Sequence, residues 1–185
     1  MVFAELESDS SVDYTSRILN TNGSITTQRD GAAGIMVTGY NWRVTNNADI
    51  ATGSAIGGAE AYGIAVLAGD SALENTASVN TSGSSAHGIH AVGDQIVLAN
   101  SGSITTTGPS SFGIHMEGST NGMVNSGEIT ATGPVSYGVH ASGDVIQIQN
   151  SKTITVTNIG SAGVYLASAH QNDGSFGAFR SIRPA

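Results

Sequence analysis

The chain contains no cysteine, which removes disulfides, thiolate metal sites and thiol nucleophiles together and leaves the redox compartment open. It has only three prolines against 25 glycines, a balance that excludes collagen and a proline-rich linker. Aromatic residues make up 5% and charged residues 11%. Six basic against 14 acidic residues give a net charge of −8, which argues against nucleic-acid partners and anionic membrane surfaces. No apolar run approaches the ~18 residues of a membrane span, so no direct membrane insertion is expected. The opening Met1-Val2-Phe3-Ala4-Glu5 lacks the basic and apolar regions of a signal peptide. An exported protein would therefore be met here as a processed form or a fragment with an added Met.

What is present is equally uneven. Gly, Ser, Thr and Asn supply more than two-fifths of the 185 residues. Strong helix formers are scarce, so a helical bundle is disfavoured. Hydrophobic residues still reach 39%, and low charge with that much apolar surface is not the signature of a disordered chain. The length suits one domain with a sizeable core.

Internal repetition decides the architecture. One aliphatic ladder runs Ile25, Ile50, Val79, Ile104, Ile129, Ile154. A second is a Gly-aliphatic pair at Gly34-Ile35, Gly63-Ile64, Gly88-Ile89, Gly113-Ile114, Gly138-Val139 and Gly163-Val164. A third reads Leu19, Val44, Leu73, Leu98, Met123, Ile148. The steps are 25 residues except one of 29, whose extra residues fall at Gly53–Gly58 and read as a loop bulging from one turn.

Within a row, alternation such as Ile154-Thr155-Val156-Thr157 has the strand period, not the helix period. Glycines such as Gly108, Gly118 and Gly127 fall where corners are needed. Three short strands per row predict an all-β fold, a right-handed parallel β-solenoid of about six triangular coils stacked at roughly 4.8 Å. A ladder of Asn46, Asn75, Asn100, Asn125 and Asn150 reads as structural, each amide bonding the one above and below.

Rows such as Asn100-Ser-Gly-Ser-Ile-Thr-Thr-Thr-Gly and Asn125-Ser-Gly-Glu-Ile-Thr-Ala-Thr-Gly, each followed by a Gly-aliphatic-His triplet, resemble bacterial autotransporter passenger domains. The resemblance covers about residues 20–167 and is strongest in the last three rows. It implies a surface-exposed or extracellular β-helix, a stalk or adhesive role, and self-association. It carries neither the export signal nor the C-terminal membrane barrel of that family.

Two further ladders are expected on the outside. The position after the Gly-aliphatic pair reads Met36, Ala65, His90, His115, His140, Tyr165. Adjacent imidazoles suit a transition metal, but no carboxylate is spaced to complete such a site, so neither metal nor cofactor is expected. Protonation near pH 6 is expected to set like charges on neighbouring rungs. The position before the glycine carries Tyr62, His87, Phe112 and Tyr137, an aromatic stripe of the kind that docks a glycan, a host surface or another protein. Thr-x-Thr at Thr105/Thr107, Thr130/Thr132 and Thr155/Thr157 resembles β-helical ice-binding faces, yet Thr is simply favoured on exposed strands.

Catalysis is disfavoured. Asp70, Asp94 and Asp144 are the only carboxylates at recurring corners, and Gly-Asp is an ordinary turn pair. No Gly-x-Ser-x-Gly with supporting His and Asp is present, nor a Ca²⁺-binding nonapeptide.

The repeat divides the chain into an N-terminal cap or edge (1–18), solenoid rows (19–172) and a C-terminal tail or cap (173–185). Phe3, Glu5 and Glu7 at one end, and Phe176, Phe179, Arg180 and Arg183 at the other, suit head-to-tail stacking of open solenoid ends. The expected function is a non-catalytic structural or adhesive module of an exported surface protein. The alternative is a self-assembling extracellular filament subunit.

Overall fold

The structure is a computed structural model and describes residues 16–53 and 60–167. Alternating aliphatic and polar residues give these regions eighteen strands and no helix. They form three parallel sheets of six strands, each turn of the chain contributing one strand to each sheet. The first sheet stacks β1 (Ser16–Asn20), β4 (Trp42–Asn46), β7 (Ala72–Asn75), β10 (Val97–Asn100), β13 (Gly122–Asn125) and β16 (Gln147–Asn150). The second stacks β2 (Ile25–Thr27), β5 (Ile50–Gly53), β8 (Val79–Ser82), β11 (Ile104–Thr106), β14 (Ile129–Ala131) and β17 (Ile154–Val156). The third stacks β3 (Ile35–Tyr40), β6 (Ile64–Gly69), β9 (Ile89–Val92), β12 (Ile114–Glu117), β15 (Tyr137–Ser142) and β18 (Ala162–Ala167). This is a β-solenoid of about six turns, as the 25-residue rows predict.

Register follows the ladders. Ile104 pairs with Val79 and Ile129, Ile114 with Ile89 and Val139, and Leu98 with Leu73 and Met123. These columns converge on one continuous core, where each fully buried aliphatic side chain contributes roughly 1.5–3 kcal/mol. The first rung departs from expectation. Ile18, not Leu19, pairs with Val44, and Leu19 faces outward. Asn20 and Asn46 are 26 residues apart, so this rung holds one residue more than the 25-residue step. The extra residue lies in the corner between β1 and β2. Strand β1 also opens at Ser16, inside the segment read as an N-terminal cap.

The corners correct a second expectation. Left-handed backbone recurs in a column of glycines, Gly39, Gly93, Gly118 and Gly143, and in two further columns, Asn41, Asp70, Gln95, Thr120, Val145 and Gly31, Glu60, Ser85, Ser110, Val135, Gly160. Most residues of those two further columns are not glycine, so glycine is not what turns the chain there. Gly108 and Gly127 have no left-handed φ. They are required because the chain of the preceding rung lies directly against them: a methyl on Gly108 would fall on the carbonyl of Gly83, and one on Gly127 on that of Gly102. Gly118, at φ 119°, meets both conditions. The glycines of the Gly-aliphatic pair leave room for the second sheet, as Gly113 does for the Cγ2 of Ile129.

Residues 54–59, which carry most of the inserted loop, lie outside the described residues. So do Phe3, Glu5, Glu7, Phe176, Phe179, Arg180 and Arg183, the residues assigned to assembly at the two ends.

Candidate functional site

The third sheet carries the chemistry. Along β9 and β12 the aliphatics Ile89, Ala91, Ile114 and Met116 point into the core, which turns His90 and His115 to the other face by strand alternation. His87 and Phe112 precede the glycines that lead into these strands. Their rings lie beside the imidazoles, so two ladders that are separate in sequence form one cluster. Tyr62 stacks on His87 at 5.4 Å, His87 on Phe112 at 4.6 Å and Phe112 on Tyr137 at 5.0 Å. Tyr62 also stacks on His90 at 4.4 Å, Phe112 on His140 at 5.0 Å and Tyr137 on Tyr165 at 5.0 Å.

This arrangement changes what the stripe can bind. A sugar docks on an open ring face, but here the faces cover one another along the axis. His87 and His115 are only 6% and 8% exposed, and Ala65 is buried too, so the outward ladder is a packed one. Open surface remains at ring edges and on the last rung at Tyr165.

The polar contacts assign tautomers. The backbone N–H of Phe112 donates to His87 Nδ1 at 3.0 Å, so His87 is neutral with its proton on Nε2. His90 Nδ1 and His115 Nδ1 are 3.0 Å apart. His115 Nε2 lies 3.1 Å from Glu117 Oε1, so a carboxylate does stand at this face. It was missed because Glu117 sits two residues along the same strand, whereas the ladders compare residues 25 apart. His140 Nδ1 is buried without a hydrogen-bond partner. One imidazole nitrogen from each of His87, His90 and His115 lies within 4.8 Å of the other two, and these residues could hold a metal ion.

Burial, with the neighbouring imidazoles of His115, His90 and His140, pushes His87 down to about 2. Burial, then His115, lowers His90 to about 4 against the opposing pull of Glu117. Burial, then His140, lowers His115 to about 4. Burial also lowers His140, opposed by Glu117. His87, His90 and His115 therefore stay neutral near pH 6 in the folded chain, and the expected charging of the neighbouring His90 and His115 rungs at that pH does not take place. The acid sensitivity survives for a different reason. Each unfolded histidine takes up a proton below its ordinary value of about 6.5, while the folded one does not. Stability is fully present above about pH 6.5 and falls as pH drops from there, toward about 4 for His90 and His115 and on toward about 2 for His87. The slope is about 1.4 kcal/mol per pH unit for each such histidine, less where solvent screens the half-exposed rings. Urea titrations of chelator-treated protein at pH 7.5 and 5.5 are expected to differ by on the order of 3 kcal/mol. Equal midpoints would contradict the packed neutral stack.

The asparagine ladder is present and extends one rung further than expected. Asn20 Nδ2 donates to Asn46 Oδ1, Asn46 to Asn75, Asn75 to Asn100, Asn100 to Asn125 and Asn125 to Asn150, each at 2.7 Å. Other buried polar columns show a weaker signal at the same step. Thr52, Thr81 and Thr106 each donate from Oγ1 to a carbonyl across the next corner. Ser111 and Ser136 accept the N–H of Ala86 and Ser111. The corner Asp94 accepts the N–H of Ser119 through Oδ1, a turn role. No family model, curated protein or solved structure matches the chain.

Proposed function

We propose that the chain is a non-catalytic structural and adhesive module of an exported bacterial surface protein, similar to an autotransporter passenger. The observation that carries this reading is where the polar chemistry goes. The buried Asn75 and Asn100, Thr81 and Thr106, and Ser111 and Ser136 bond along or across rungs, which builds a rigid rod instead of a reaction centre. The outer walls of the three sheets then serve as contact surfaces, with ring edges of the aromatic stack and the exposed Val97 and Val124 of the first sheet available. Antibodies against the chain are expected to label intact source cells, and beads coated with the chain are expected to adhere to glycosylated surfaces or to each other. Labelling only after permeabilisation, with inert beads, would overturn the reading.

A second reading, head-to-tail filament assembly, is favoured by the polarity of the asparagine ladder. Every amide donates in one direction, and polar ends are what a heterologous, non-closing contact needs. Sedimentation is expected to show concentration-dependent growth that is lost on removing residues 174–185. Unchanged assembly after that deletion would remove the idea.

A further inference from the structure

We propose that the His90–His115 pair, with His87 beside it, is a binding site for a divalent first-row transition ion such as Zn²⁺ or Cu²⁺. Two nitrogen ligands at about 2.0–2.1 Å from one ion stand about 3.0–3.4 Å apart when cis. The two Nδ1 atoms already sit 3.0 Å apart, so an ion on the open side of the pair is reached by small ring rotations. The carboxylate of Glu117 lies 3.1 Å from His115 Nε2 without hydrogen-bond geometry, and its negative charge favours the tautomer with the proton on Nε2 and Nδ1 as a lone-pair donor. A small turn of the half-exposed Glu117 side chain would complete the hydrogen bond by which an outer carboxylate orients a metal-binding histidine.

In the metal-free protein His90 Nδ1 carries the proton between the two rings. On binding, that proton moves to His90 Nε2, so two neutral imidazoles ligate and no net proton is released by the pair. His90 is half-buried and gives the ion its way in from solvent. His87 brings a third imidazole nitrogen within 4.8 Å of the other two. Its Nδ1 is engaged by the Phe112 N–H, so it joins only by giving up that bond and tunes affinity instead of founding the site. Imidazole nitrogens with water completing the shell suit Zn²⁺ and Cu²⁺, with Cu²⁺ held more tightly.

The test is calorimetric titration of untagged, chelator-treated full chain with ZnCl₂ or CuCl₂ alone. The expected result is saturable uptake of one ion per chain. His90→Gln or His115→Gln should weaken it at least 100-fold, Glu117→Gln about tenfold, and His87→Gln less than either ligand substitution. Far-UV circular dichroism identifies any variant that fails to fold. Electron paramagnetic resonance of the wild-type Cu²⁺ complex is independent of the variants and should show coupling to at least two imidazole nitrogens. Absence of saturable uptake, uptake indifferent to both ligand substitutions in folded protein, or a Cu²⁺ spectrum without nitrogen coupling would each overturn the site.

Discussion

Gly108→Ala is expected to lower stability by more than ~4 kcal/mol, among the largest effects a single substitution produces, whereas Gly122→Ala is expected to be neutral or stabilising by about 0.4–1 kcal/mol. The repeat already separates the two, because Gly108 lies between Gly83 and Gly133, whereas Gly122 stands where the neighbouring rungs carry Val97 and Gln147. A methyl at Gly108 would land on the carbonyl of Gly83, while one at Gly122 meets nothing within 4 Å. The clash at Gly108 has no inexpensive relief. That carbonyl already accepts Ser111 Oγ at 2.8 Å, so turning it aside costs a partly buried hydrogen bond. Moving the rungs apart breaks strand pairing, because Thr107 N–H donates to Thr81 O at 3.1 Å immediately beside it. The next rung repeats the geometry, with a methyl at Gly133 falling on the Gly108 carbonyl. Urea unfolding of both variants, followed by circular dichroism, checks the contrast. A Gly108→Ala protein with a wild-type midpoint would mean that the rungs are not packed as described.

That contrast also marks what the sequence could and could not reveal. The solenoid was legible because aliphatic residues at a fixed step must pile into one core once each row alternates as strands. Ile104, Ile114 and Leu98 could be placed from spacing alone. Distances between rungs are not written in that pattern. Gly108 read as a turn residue, yet close stacking is what demands it, while Gln95 and Thr120 take the left-handed corner positions. The first rung was misread for a related reason. Leu19 lies at the regular step from Val44, but one extra corner residue moves Ile18 into the column, and spacing cannot choose between adjacent aliphatics. At the histidine cluster, the ladders showed which rings share a column. They did not show that neighbouring columns interleave, which buries the ring faces and the His87 nitrogen that accepts the Phe112 N–H. Glu117 was overlooked because its partnership with His115 runs along a strand instead of between rungs.

Asn100→Ala is expected to cost on the order of 5 kcal/mol, a large part of the 5–15 kcal/mol that holds a typical domain folded. Asn100 is 1% exposed and makes three hydrogen bonds. Its Oδ1 accepts from Asn75 Nδ2, and its Nδ2 donates to Asn125 Oδ1 and to the Gly102 carbonyl. Alanine leaves one Asn75 hydrogen, the Asn125 oxygen and the Gly102 carbonyl short of a partner in a site closed to water. Each such loss costs about 1–3 kcal/mol. Asn100→Asp is expected to be worse at neutral pH despite its matching shape. A carboxylate can still accept from Asn75, but it would point an oxygen at the Asn125 oxygen and the Gly102 carbonyl, with its charge buried. Asn150 supplies the control, because it has the same residue type and the same ladder bond from Asn125, at 2.7 Å, but its own donor contact, to the Lys152 carbonyl, is exposed. Water can replace what Asn150→Ala removes there, so that substitution should cost no more than about 1–2 kcal/mol. Denaturant midpoints for the three variants should rank Asn150→Ala above Asn100→Ala above Asn100→Asp. If Asn100→Ala and Asn150→Ala melted together, the ladder would be a by-product of the repeat and not one of the things that hold the rungs in register.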